Sequence, residues 1–239
     1  MQFLDPPGAS IPLPEPSRSL PPLLHAGWWG GPACEGIAMA PARFGGIVVQ
    51  PAEVVLGLRG WEDAFEGILA GSNAPYAFFE LEKIIRMMLR QSPMALEILA
   101  APTANESRRE GFDPRDLIRW LTTSRILDSY LDFPAATDLA TLRPLLTAAL
   151  LAKQQQLSLS LTTLLEQLSE VSGEPLWRQL AEKSPDADVI ARADAAARGM
   201  VRAGIEAGAG ANSLPASPIG YDEANALLVR WRLRVSNSP

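Results

Sequence analysis

The most constraining feature of this 239-residue chain is the stretch of residues 24–49, which glycine pairs divide into apolar segments. An apolar run leads into Gly30-Gly31, and a β-branched run follows Gly45-Gly46. Short apolar runs bounded by glycine turns are typical of buried strands. The stretch therefore predicts a strand, a glycine turn, a short helical segment and a second strand.

The composition narrows the class of protein. The net formal charge of −6 disfavours binding of nucleic acid through bulk electrostatics, because domains that bind this way usually carry a basic excess. Cys34 is the single cysteine and His25 the single histidine, which excludes an internal disulfide and disfavours a zinc site. With no leader-like start and no apolar run long enough for a membrane span, we expect a soluble cytoplasmic protein.

Three regions are expected along the chain. Residues 1–22 contain seven prolines, which block helix formation and predict an extended Pro-rich arm. Residues 23–102 alternate strand and helix signals, whereas residues 103–239 give helix signals and no convincing strand. The predicted fold class is therefore α+β, with a mixed sheet and helices followed by an all-α C-terminal region.

Local signals predict the individual elements. An apolar stripe predicts a helix over residues 81–89, while residues 54–58 fit a short strand or turn and residues 94–99 a strand or short helix. Asp113-Pro114 predicts the N-cap and first position of a helix whose apolar stripe reaches Pro134. Further helices are predicted over residues 139–153, from a capping box of Thr163 and Glu166, after Ser184-Pro185, and over residues 221–235.

Three segments of the chain, in order, carry a family resemblance. The first runs from LLHA, which ends at Ala26, through the glycine pair to PAEVVLGL at residues 51–58. The others are FFELEKIIRMMLRQSPMALEILAAP at 78–102 and LPASPIGYDEANALLVRWRLR at 214–234. Together they resemble predicted nucleotidyltransferases of the DNA polymerase beta superfamily that sit beside RNA ligases in bacterial RNA-repair operons. The resemblance implies a nucleotidyltransferase-like fold.

The same resemblance implies a metal site that this chain does not complete. Family members hold two magnesium ions with carboxylates shortly after the glycine turn, yet no Asp or Glu occurs between Gly36 and Val49. Arg43 stands near a position where the resemblance places a metal ligand, and its positive charge would repel Mg²⁺. We therefore assign no catalytic residue and no metal ligand, and we expect no cofactor.

Four residues are candidates for binding a nucleotide, since the resemblance implies that a glycine turn lets the backbone approach a triphosphate. They are Gly30, Gly31, Arg43 and Glu80. Glu80 starts the predicted helix after an aromatic strand, where a carboxylate could point into the cleft. The alternative interpretation of Glu80 is a favourable interaction with the helix dipole.

Three cations are candidates for binding nucleic acid. Lys83, Arg86 and Arg90 recur on the polar face of the 81–89 helix, at a spacing able to meet a phosphate backbone. The alternative is a solvated face paired with nearby glutamates. The three arginines near the chain end, at positions 230, 232 and 234, are interpreted as cations that favour a helix C-terminus.

The first functional hypothesis is a catalytically inactive nucleotidyltransferase-fold protein that acts as a binding or scaffolding subunit. Its partner would be another protein or a second copy, bound through the C-terminal helices, with no role for a membrane. The surface proposed for this contact consists of the leucines at positions 157, 161, 164, 165 and 168.

Two alternatives stay open. One is an active or nucleotide-binding transferase acting on RNA, whose metal ligands come from elsewhere, such as Glu35, Glu80 or Glu82. Magnesium with a nucleoside triphosphate is the expected cofactor only in that case. The other is an RNA-binding module without catalysis.

Overall fold

The computed structural model describes residues 1–3, 20–29, 43–57, 60–69, 75–101, 103–182, 185–207 and 214–237. These residues form two compact units. The sheet unit comprises 20–29, 43–57, 60–69, 75–101, 103–121 and 218–237, and the helical unit comprises 1–3, 122–182, 185–207 and 214–217. Most of the Pro-rich arm, and the candidates Gly30, Gly31 and Glu35, lie outside the described residues.

The elements follow one another in a mixed order. In the sheet unit they are β2 (Leu23–Trp29), β3 (Arg43–Val48), α1 (Ala52–Val55), β4 (Ala64–Ile68), β5 (Pro75–Glu80), α2 (Leu81–Leu89), α3 (Pro93–Ala100), β6 (Thr103–Arg108), α4 (Pro114–Leu121) and α10 (Tyr221–Ser236). In the helical unit they are β1 (Gln2–Phe3), α5 (Arg125–Leu131), α6 (Leu139–Gln154), β7 (Gln156–Leu157), α7 (Leu161–Ser172), α8 (Pro175–Glu182) and α9 (Ala187–Glu206).

The sheet has five strands in the order β4-β5-β3-β2-β6. β3 and β5 run parallel, and the other neighbouring pairs are antiparallel. Parallel strands end at the same edge of a sheet, so Val48 and Glu80, the last residues of β3 and β5, lie side by side. The α+β class with a mixed sheet and a helical C-terminal region is confirmed.

One face of this sheet carries an aromatic core. Phe44 of β3 meets Phe78 of β5 edge to face, with ring centroids 5.6 Å apart, and Tyr76 packs beside Phe78. Side chains alternate between the two faces along a strand, so Glu80 falls on the same face as Tyr76 and Phe78. A carboxylate thus stands at the end of a hydrophobic row.

Several element predictions are wrong in type or extent. Residues 103–108 form strand β6 at the sheet edge, although their sequence TANESR has no apolar alternation. Residues 52–55 are helical, and the helix predicted up to Pro134 is interrupted at 122–124. The N-cap of α7 is Ser160, whose side chain accepts from the Thr163 amide, so the predicted capping box lies inside the helix.

The division into units differs from the predicted boundary after residue 102. β6, α4 and α10 belong with the sheet, so the sheet unit takes in the beginning and the end of the region that the sequence assigned to a helical domain. The helices predicted over 139–153 and 221–235 are confirmed to within one residue. Among the described helices, none is both long and apolar enough to cross a membrane.

The helical unit packs around α6, which contacts α5, α7 and α9. The leucines proposed as a partner surface are instead core residues of this unit. Their exposed fractions range from 0% to 3%, because α7 turns its apolar stripe inward against α6 and α8. The prediction that they form an exposed contact surface is wrong; they are 157, 161, 164, 165 and 168.

A buried ion pair closes the helical unit beside α5. Asp194 and Arg198 pair within α9 at 2.8 Å, and Asp194 also accepts from the backbone amide of Ala136. Arg198 donates to the carbonyl oxygens of Leu131, Phe133 and Pro134. These backbone partners all belong to the last residue of α5 or to the loop after it, so we assign the pair to holding that loop.

Candidate functional site

The sheet register separates two of the predicted nucleotide-binding residues. Arg43 pairs with Trp29 at one end of β3, whereas Glu80 pairs with Val48 at the other end. Five residues of strand at about 3.3 Å each place these ends about 16 Å apart. Arg43 and Glu80 therefore do not belong to one compact site.

A different cluster forms around Glu80 at the C-terminal end of β5. The Arg232 Nη2 atom, from α10, lies 3.3 Å from Glu80 Oε1 and 2.7 Å from Glu82 Oε2. Arg86, one turn along α2, donates a further hydrogen bond to Glu82. The two glutamates thus converge on one guanidinium nitrogen, and we call Glu80, Glu82 and Arg232 the carboxylate–arginine cluster.

Local sequence explains how the two carboxylates reach this point. Glu80 is the N-cap of α2, and its Oε2 accepts from the Glu82 backbone amide at 2.5 Å. Its Oε1 accepts from the Gln50 amide at 3.4 Å, and its own amide donates to the Asp63 carbonyl oxygen. A capping carboxylate accepts hydrogen bonds from the amides at a helix start and is stabilised by the positive end of the helix dipole. The geometry therefore supports the alternative interpretation of Glu80, a favourable interaction with the helix dipole.

The third member of the cluster is held by the end of α10. The Arg232 guanidinium lies 5.8 Å from the ring centre of Trp61, and its side chain is 15% exposed. Ser236, one turn on, donates to the Arg232 carbonyl oxygen and accepts from the Ala52 amide at 2.8 Å. These contacts fix the C-terminal helix against α1 and the sheet edge.

The two carboxyl groups have opposite electrostatic environments. Burial raises the pKa of Glu80, although the charge of Arg232 and the hydrogen bonds to its carboxylate oppose this rise. Burial also acts to raise the pKa of Glu82, but Arg232 and Arg86 together outweigh it and lower that pKa below the ordinary value. The environment of the cluster therefore disfavours the charged form of Glu80 and favours the charged form of Glu82.

These directions predict opposite pH dependences for two conservative variants. A raised pKa in the folded state means that the contribution of Glu80 to stability is present below its unfolded pKa and is lost as pH rises. A lowered pKa means that the contribution of Glu82 is present above its unfolded pKa and is lost as pH falls. From acid to neutral pH, the stability advantage of the wild type should fall relative to Glu80→Gln and rise relative to Glu82→Gln.

Urea unfolding of both variants across this pH range measures the two slopes. The exposed Glu66 of β4 provides the matched control as Glu66→Gln. Slopes of the same sign for the two cluster variants would contradict the assigned environments.

The three cations proposed to bind nucleic acid have mixed surroundings. Lys83 pairs with Asp63 at 2.8 Å and lies 5.6 Å from the ring centre of Phe79, and Arg86 pairs with Glu82. Arg90 is exposed at the end of α2. Two of the three therefore form pairs with carboxylates of the same unit, as the alternative interpretation expected, although Lys83 uses a different acid.

Sequence reasoning missed Arg232 as a site residue because it grouped this arginine with Arg230 and Arg234. Alternate positions on a helix point about 200° apart, so the three cannot share one environment. Arg232 follows Leu228 by four residues and precedes Val235 by three, and both of these are buried. That spacing is the signal that could have placed Arg232 at the margin of the core.

Carboxylate side chains that could bind a metal occur throughout the ranges that the structure describes. Within those ranges, no three His, Cys, Asp or Glu side chains come close enough together to hold a metal ion. The two carboxylates that do converge, Glu80 and Glu82, meet at an arginine.

Comparisons with protein-family models, curated proteins and solved structures found no match to this chain. The resemblance to nucleotidyltransferases thus stands on the three sequence segments alone.

Proposed function

We propose that this chain is a catalytically inactive protein of nucleotidyltransferase-like fold that serves as a binding or scaffolding subunit. The observation that carries the proposal is the position of Arg232. Its Nη2 atom occupies the point where Glu80 and Glu82 converge, which is where a shared cation would have to lie.

The chemistry of phosphoryl transfer supports this reading of the cluster. Two-metal transfer needs carboxylates that bridge or flank a pair of divalent ions. The sequence offers none between Gly36 and Val49, and the Arg232 guanidinium already forms hydrogen bonds to both Glu80 and Glu82. A metal ion would have to displace Arg232 and leave its guanidinium without its carboxylate partners.

The pairing of the α2 cations favours a protein partner over RNA. Lys83 and Arg86 already neutralise Asp63 and Glu82, so a phosphate backbone would compete with internal carboxylates for both. Binding of nucleic acid draws much of its affinity from protein cations that neutralise phosphates and so release the counterions condensed on the nucleic acid. We therefore rank the RNA-binding alternative below the scaffolding role.

Calorimetric titration of the full chain with each nucleoside triphosphate, with and without Mg²⁺ or Mn²⁺, tests the proposal. We expect no metal-dependent heat. Metal-dependent binding with a dissociation constant near 1 μM, about −8 kcal/mol, would overturn it. The Glu80→Gln/Glu82→Gln double variant is then the matched control, since loss of the heat in that variant would assign the metal to the cluster.

A titration with a tRNA-like ligand at two salt concentrations distinguishes the RNA-binding alternative from the scaffolding role. Affinity that falls steeply with salt, and that Arg90→Ala weakens, would favour an RNA-binding module. Absence of binding at low salt is the result expected for a scaffolding subunit.

A further inference from the structure

Beyond its first turn, where Asp222 is exposed, the outer face of α10 carries apolar residues where a surface helix normally carries polar ones. Ala226, Val229 and Leu233 follow one another at spacings of three and four residues, so they form one stripe. Val229 is 50% exposed and Leu233 52% exposed. This stripe lies directly opposite the buried one, which consists of Ala224, Leu227, Leu228, Trp231 and Val235.

Charged residues along one flank of this stripe are arranged for self-pairing. Glu223 stands at the N-terminal end of the flank, and Arg230 and Arg234 follow it seven and eleven residues later. In an antiparallel pair of identical helices each flank faces itself, so Glu223 of one copy meets Arg234 of the other, twice. A two-fold axis gives such a self-complementary interface.

A parallel pair gives no such match. It would set this flank against the opposite one, where Tyr221, Asn225 and Arg232 offer no acid to the cations. Within its own copy, Arg234 donates to the Glu110 carbonyl oxygen at 3.3 Å, and its guanidinium lies 4.8 Å from the ring centre of Trp231. The charges therefore select the antiparallel orientation.

Neighbouring apolar residues enlarge the surface. Ser236 Oγ accepts from the Ala52 amide, which places α1 at the C-terminal end of α10. Val54 of this helix is 39% exposed and Leu56, just after it, is 83% exposed. One helix face about 24 Å long and about 10 Å wide offers roughly 240 Å², below the roughly 800 Å² per partner of a standard interface, so the α1 residues are needed as well.

We propose that two copies of this chain associate through antiparallel contact of their α10 helices, with Val54 and Leu56 at the margins. The proposal rests on the scaffolding role proposed above and names a second copy as the partner. It places that contact on the exposed face of the sheet unit rather than on the buried leucines of the helical unit.

Sedimentation of the full chain over a range of concentrations tests the association. We expect a concentration-dependent dimer whose dissociation constant rises at least about tenfold in Leu233→Glu. Ile68→Glu on β4 is the matched control, because Ile68 is 51% exposed, and a change within about twofold is expected there. A monomer at all concentrations up to roughly 1 mM, or equal effects of the two variants, would overturn the proposal.

Two further experiments test the orientation. Glu223→Arg should weaken the dimer, and adding Arg234→Glu to it should restore the affinity. In a Cys34→Ser background, Val229→Cys should cross-link to its copy, whereas Asp222→Cys should not. The two Asp222 positions would be about 20 Å apart, far beyond the roughly 4 Å between Cβ atoms in a disulfide. Cross-linking through Asp222→Cys would overturn the antiparallel arrangement.

These measurements use no nucleotide, so the two proposals can fail separately. A monomer that binds no nucleotide overturns the dimer alone. A dimer that binds a metal–nucleotide complex overturns only the proposal that the protein is catalytically inactive.

Discussion

Replacement of Arg232 by alanine is expected to lower the free energy of unfolding by about 2 to 4 kcal/mol, because removal of one partner from a buried ion pair leaves the other charge uncompensated. Glu80 is fully buried and would keep its carboxylate beside the aromatic row of the sheet. Glu82 would retain Arg86 as a partner, so the loss of Arg232 should destabilise the charged form of Glu82 less than that of Glu80. Urea or thermal unfolding of the full chain measures the change.

The neighbouring Arg230 of α10 provides the control for this prediction. Arg230→Ala removes the same side chain two residues earlier at an exposed position, where substitutions typically change stability by within about 0.5 kcal/mol. Introducing Arg232→Ala into the Glu80→Gln/Glu82→Gln background should cost less than it does alone, since no carboxylate is then left without its partner. Equal effects of Arg232→Ala and Arg230→Ala would show that the cluster contributes nothing particular.

Elements with a strong local signal could be predicted from the sequence. The apolar stripe of α2 predicts which side chains turn inward; Leu81, Ile84, Ile85 and Met88 are buried, and Leu89 is half-buried. The starts of α6 and α10 also agree, and the N-cap residues Asp138 and Gly220 mark them in the sequence. Such signals act within one or two helical turns, so a single sequence carries them in full.

Elements that depend on distant partners could not be predicted. β6 is a polar hexapeptide that becomes a strand because β2 offers it an unpaired edge. The break between α4 and α5 falls at Thr122-Thr123-Ser124, residues whose hydroxyl groups compete with helix formation. The Ser124 amide then donates to Pro215, some ninety residues away in the sequence.

The candidate site depends most strongly on such long-range register. The sequence places Arg43 and Glu80 as neighbours in function, but the parallel pairing of Val48 with Glu80 sends them to opposite ends of β3. Arg232 reaches Glu80 across 152 residues of sequence. Neither relation is visible without the sheet topology, because alternation along a strand fixes a face and not a position along the sheet.

Substitution of Gly46 by alanine is expected to lower the free energy of unfolding by about 3 kcal/mol or more, as is typical of severe overpacking. We expect no other added methyl group in the sheet unit to have a larger effect. A Cβ atom at this position would lie 1.9 Å from the His25 carbonyl oxygen and 2.7 Å from the Ala26 Cα. Both are backbone atoms of β2, so no side-chain rotation can relieve the clash. The strands β2 and β3 would have to separate.

Gly60→Ala is the matched control, because no atom lies within 4 Å of the corresponding Cβ position in the same unit. Thermal unfolding and amide exchange of β2 and β3 should therefore change strongly in Gly46→Ala and little in Gly60→Ala. Comparable stability of the two variants would mean that the β2–β3 register is wrong.

The register matters beyond stability, because β2 ends at Trp29 and β3 begins at Arg43. These two strands therefore anchor both ends of the segment that contains Gly30-Gly31. If that segment binds a nucleotide, Gly46→Ala should abolish binding and Gly60→Ala should preserve it.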